Sequence, residues 1–164
     1  MILYGDYLEV AKGINPATGR ALLSLTFAAG VPAFFITGRL ADRVPNVPLL
    51  LSIVGATVVA VLALTVVEGV VAVAAVSLVL GYVVHWLFPA ADAYLLSSLL
   101  DHHRASAYSL YSGTMMFVQA LGSGAVGLAV DGGASYTLVF RVLAGGVAVI
   151  LVGLYADGRL PAGG

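Results

Sequence analysis

Residues 47–91 read VPLLLSIVGATVVAVLALTVVEGVVAVAAVSLVLGYVVHWLFPAA, and Glu68 is the sole formal charge in that length. A helix rises 1.5 Å per residue, so crossing about 30 Å of hydrocarbon takes about 20 mostly apolar residues. One such run ends at Glu68; the next starts at Gly69 and meets no charge until Asp92. Lipid offers the backbone no hydrogen-bond partner, so each crossing is expected to be helical. Val and Ile are frequent, but the runs are too long for barrel strands and do not alternate.

Outward from this pair, three further segments qualify: 21–38, 105–130 and 137–156. The expected fold is an all-α integral membrane protein. Its membrane bundle covers 21–156, with transmembrane helices at 21–38, 47–67, 69–99, 105–130 and 137–156. Residues 1–20 are expected to hold the end of a truncated helix and an external loop, and 157–164 a cytoplasmic tail. The intervening connections are short, so consecutive helices must run antiparallel.

Composition agrees. Hydrophobic residues make up 61% of the chain and charged residues 9%, against about 45–50% and about 25% in soluble domains. So few charges cannot cover the outside of a soluble bundle without leaving large apolar patches. A net charge of -1 gives no nucleic-acid footprint and no polybasic lipid-binding tail. The absence of Cys removes thiol catalysis and disulfides. Residues 1–10 lack a basic n-region and carry Asp6 and Glu9, so they are not a signal peptide. Arg outnumbers Lys, Asp outnumbers Glu, and Ala, Val and Gly abound, which suggests a GC-rich prokaryotic genome.

Arg39, Arg43, Arg104 and Arg159 fall on one side of the expected membrane and Lys12, Arg20 and Arg141 on the other, a slight preference for a cytoplasmic first side. Arg141 is near a helix start and can snorkel to the interface. Tyr4, Tyr7, Tyr136 and Tyr155 are placed as interfacial anchors. Pro32 and Pro89 each remove a helical hydrogen bond.

Polar residues are unevenly spread. The spans 47–67 and 137–156 are nearly featureless. On 105–130, Ser109, Ser112, Met116, Gln119 and Ser123 recur at spacings that put them on one stripe, and on 69–99 Gly81, His85, Pro89 and Asp92 share a face. Such a face fits either an aqueous solute path or close packing with interhelical hydrogen bonds. His85 and Gln119 stand out because strongly polar groups inside a membrane are functional candidates.

Other motifs fail for want of context. Gly122, Gly124 and Gly127 spell G-x-G-x-x-G with no preceding strand, so the dinucleotide reading falls. With Ala120 and Ser123 they give the small-residue spacing that lets two membrane helices approach. Asp101, His102, His103 and Arg104 point different ways from a helix end and have no H-E-x-x-H or Cys partner, so they read as a solvated loop. Without G-x-S-x-G or a P-loop, no enzyme, metal site or cofactor is expected.

Gly38-Arg39-Leu40-Ala41-Asp42-Arg43 is the informative loop. Gly38 permits a tight helix exit, Asp42 can face a helix N-terminus, and Arg43 can pair with a nearby acid. The stretch resembles the G-x-x-x-D-R core of the signature loop of the major facilitator superfamily of secondary transporters, departing afterwards at Pro45 and Asn46. Phe88-Pro89 through Arg104 into the Gly-rich helix resembles the family's tenth and eleventh helices. The resemblance implies a C-terminal half: the five spans become the eighth to twelfth helices and residues 1–10 the end of a seventh. It implies that 47–67 and 137–156 are peripheral, that Asp92 pairs with Arg39 or Arg43, and that Asp42 faces the other half.

The functional expectation is therefore secondary active transport of a small solute, by a partial or truncated transporter in the plasma membrane. His85, Ser109, Ser112 and Gln119 are the candidate cavity residues. The expected partners are the lipid bilayer, an unknown solute with a possible coupling ion, and a missing N-terminal half or a second copy; nucleic acid is not among them. The alternative is a non-transporting membrane helix module or gene remnant.

Overall fold

The structure is a computed structural model that describes residues 2–41 and 43–156. Expectations for Asp42, for Arg159 and for the tail 157–164 lie outside the described residues. The elements are α1 (Ile2–Lys12), α2 (Pro16–Ala41), α3 (Asn46–Val66), α4 (Val70–Ser97), a 3-10 turn (Asp101–His103), α5 (Arg104–Asp131) and α6 (Tyr136–Ala156). Five of these helices, α2 to α6, are long and apolar enough to cross a membrane. The protein is an all-α membrane bundle.

The start of the first span differs from the sequence reading. In place of a loop up to residue 20, α1 ends at Lys12 and α2 starts four residues later, at Pro16. Gly13 has φ +64, and the Gly13 and Ile14 amides donate to the Glu9 and Leu8 carbonyls at 3.2 and 3.0 Å. That is the left-handed glycine stop of a helix. The Asn15 side chain then accepts from the Thr18 amide at 2.9 Å, with Pro16 in the first helical position.

At the other end, α2 runs past Gly38 and Arg39 to Ala41. Gly38 is therefore inside the helix and makes no exit. The turn is closed instead by the Arg43 and Val44 amides, both donating to Leu40 O at 3.0 Å. Pro45 stops the helix there, because the residue before a proline is pushed out of helical geometry. Both Pro32 and Pro89 are accommodated within continuous helices.

In the packing order, α4 lies between α2 and α3, and α6 packs on the far side of α3. At one end, Tyr7 and Leu8 of α1 are fully buried against Ile14, Leu22, Leu64 and Val73. Tyr7 is thus a core residue rather than an interfacial anchor: its ring meets Phe140 edge-on and its hydroxyl donates to Leu64 O at 3.0 Å. Tyr4 bonds Ser77 of α4. At the opposite end, Leu49, Ile53 and Ala90 form a second cluster with Trp86, Leu40 and Val44 around it. Little of α5 is covered: 6% of its span is buried inside the chain, against 33% for α3. Long rows of exposed Val, Leu and Phe on α2, α5 and α6 suit acyl chains or other helices, not water.

Candidate functional site

The tightest contact in the bundle is the crossing of α2 and α4. On α2, Leu22, Thr26, Gly30, Ala33 and Thr37 are buried at spacings of a helical face, and Val73, Ser77 and Gly81 of α4 face them. Between membrane helices there is no hydrophobic driving force, so close approach of small residues supplies the packing. A Cβ on Gly81 would strike the Thr26 carbonyl, and one on Gly30 would strike the His85 ring. Thr26 and Thr37 turn their hydroxyls back to Leu22 O and Ala33 O at 2.8 Å each, so neither leaves an unsatisfied polar group in the seam.

His85 belongs to this seam. It is half-buried, its Nδ1 lies 2.6 Å from Gly81 O, and the rings of Phe27, Phe34 and Phe88 surround it at 5.7 to 6.4 Å. Among the described residues, all of its hydrogen-bond and ring partners come from α2 and α4.

The polar stripe of α5 is separate. Ser109 and Gln119 are exposed and Ser112 is half-buried, with the Ser109 hydroxyl donating to Ala105 O at 3.0 Å. Gln119 also borders an open, mostly apolar cleft of about 550 Å³ formed with Leu95 of α4. The structure therefore groups Ser109, Ser112 and Gln119 along α5 and keeps His85 in the α2–α4 seam. The packing expected of Gly122, Gly124 and Gly127 is not made within the described residues: a Cβ on any of them would meet nothing within 4 Å. Close helix approach occurs at Gly30 and Gly81 instead.

Arg39, Arg43 and Asp92 share one end of the bundle, where Asn46 Nδ2 donates to Ser97 Oγ at 3.1 Å and ties the start of α3 to the end of α4. Arg39 and Arg43 are exposed. Asp92 accepts from the Tyr108 hydroxyl at a long 3.4 Å, and among the described residues it forms no ion pair with Arg39 or Arg43. Two buried polar atoms at the α3–α4 contact, Asn46 Oδ1 and Trp86 Nε1, have no hydrogen-bond partner among the described residues.

Sequence reasoning found the α4 face through its period but missed its counterpart on α2. The signal was present in Thr26, Gly30, Ala33 and Thr37, small residues recurring on one face inside an otherwise bulky run. In comparison with known proteins, a family model described as Major Facilitator Superfamily matches residues 1–162. No curated protein and no solved structure matches the chain.

Proposed function

The chain belongs to the major facilitator superfamily, a family of multi-pass membrane transporters of solutes, and from that premise we propose that it moves a small solute by secondary active transport in the plasma membrane. In such transporters two bundles rock about a midplane site. Here α2 and α4, locked at Gly30 and Gly81, move as one wall, and α5 presents Ser109, Ser112 and Gln119 to the solute. A second bundle, either an N-terminal half or another copy of the chain, supplies the opposite wall. Asp92 pairs with Arg39 or Arg43 in one of the alternating states, and the solute travels with or against a coupling ion.

The observation that carries this reading is the α5 stripe. A helix from an otherwise apolar membrane chain leaves a Gln and a Ser uncovered, an arrangement disfavoured against lipid and suited to a water-filled path. The competing reading, a non-transporting helix module, places the same stripe against lipid or a permanently packed helix.

Proteoliposomes carrying the chain, alone and with a co-expressed second bundle, distinguish the two by solute-evoked current across a panel of small solutes. Current lost on Gln119→Ala at equal protein incorporation supports transport. Silence in both preparations, with protein incorporated, favours the module.

A further inference from the structure

The peripheral contact between α3 and α6 encloses an almost wholly apolar cleft of about 390 Å³, bordered by Val54, Val61, Leu87, Phe140, Ala144 and Val147. Its α3 wall continues by one more turn to Thr65, and two cations meet there. Arg141 Nε donates to Thr65 Oγ1 at 3.1 Å, while Lys12 Nζ donates to Thr65 O at 3.3 Å and to Val67 O at 2.8 Å. The Thr65 hydroxyl in turn donates to Leu62 O at 2.8 Å. α6 runs antiparallel to α3, and Leu151 stands at 3.4 Å from the Cβ position of Gly55, about 15 Å along α3 from Thr65 at the helical rise.

We propose that this cleft is a binding site for one anionic glycerophospholipid, with an acyl chain along the α3–α6 cleft and the phosphate on Arg141 and Lys12. Length is the first argument. The cleft lining on α3 runs from Val54 to Val61, about 10 Å at the helical rise, and with the next turn to Thr65 the seat spans about 16 Å, about half of a 30 Å hydrocarbon core. It therefore matches one leaflet, from headgroup level to the midplane. Charge is the second. Neither cation forms an ion pair with a carboxylate among the described residues, Glu68 included. The α3 C-terminus takes one of Arg141's five N–H donors, and the exposed guanidinium retains a fork that fits a phosphodiester bidentately. The leaflet is the one remote from the 38–43 loop. The bound lipid would add a further tie among α1, α3 and α6, which already pack together at this end of the bundle.

The test is native mass spectrometry of the full chain in mild detergent, titrated with dioleoyl phosphatidylglycerol or dioleoyl phosphatidylcholine. The wild type is expected to retain one phosphatidylglycerol about tenfold more strongly than phosphatidylcholine, the factor that a charge-assisted contact supplies. Arg141→Gln should abolish the preference, Arg141→Lys should keep part of it, and Ala144→Phe, which fills the cleft, should weaken both lipids. Equal retention of the two lipids by the wild type, or an undiminished preference in Arg141→Gln, overturns the headgroup site. Unchanged binding in Ala144→Phe overturns the acyl seat. Should Ala144→Phe not fold, Arg141→Gln, altered only at an exposed side chain, still decides the outcome.

Discussion

The imidazole of His85 occupies the space that a side chain on Gly30 would need, so the ring of α4 rests directly on the backbone of α2. Glycine at position 30 and histidine at position 85 are therefore one fitted pair, and a change in either is felt by the other.

Gly30→Ala is expected to lower the stability of the detergent-solubilised chain by about 1–3 kcal/mol, the usual cost of overpacking. His85→Ala in the same chain should restore much of that loss, because the clashing ring is gone. Gly81→Ala should not be rescued by His85→Ala, since its clash is with the Thr26 backbone. Thermal unfolding of the single and double variants measures the coupling. Additive losses at 30 and 85 would show that the pair does not touch.

The natural chain has no Cys, so single cysteines report without background. Cysteine at 109 or 119 on α5 should react with a membrane-impermeant maleimide at least several-fold faster than cysteine at Val149 or Val152 of α6, which are also exposed in the isolated chain but face lipid in this account. Equal reactivity at all four positions would remove the aqueous path.

Tyr7→Phe removes a buried bond to Leu64 O while leaving the ring against Phe140. It should cost about 1 kcal/mol or somewhat more, because a buried carbonyl loses its donor. Release of α1, read as faster protease cleavage near Gly13, should accompany the loss. A variant as stable and as resistant as the wild type would mean that α1 is not docked as described.

Asp92→Asn should change the stability of the chain by under about 1 kcal/mol, since its partner here is a long hydrogen bond from Tyr108. Its effect is expected on transport in the assembled protein, alongside that of Arg43→Gln. Normal transport by both variants would leave the acid–signature-loop pairing without a role.

Most of the fold was legible because length of apolar sequence is a direct statement about bilayer thickness. In the structure Pro45 and Gly69 precede α3 and α4, and Gly132 follows α5. The start of α2 was misplaced because Thr18, Gly19 and Arg20 look like a loop by polarity, although Asn15-Pro16 is a good helix start. Of the candidate site, the period of Gly81 and His85 was readable, and the spacing on α5 was too. Which helix each face meets was not. Membrane helices gain no hydrophobic drive from meeting one another, so pairing is decided by shape at residues such as Gly30 and Thr26, and a Cβ on Gly122, Gly124 or Gly127 would meet nothing within 4 Å among the described residues.

Sidedness of the connections tests the membrane-threaded bundle most directly. Cysteines placed one at a time at Arg43, Glu68, His103 and Ala134 should be labelled by an impermeant maleimide in alternation. Positions 43 and 103 should react from one face of sealed vesicles, and 68 and 134 from the other. Labelling of all four from a single face would contradict the account, because the helices between them could not then cross the bilayer.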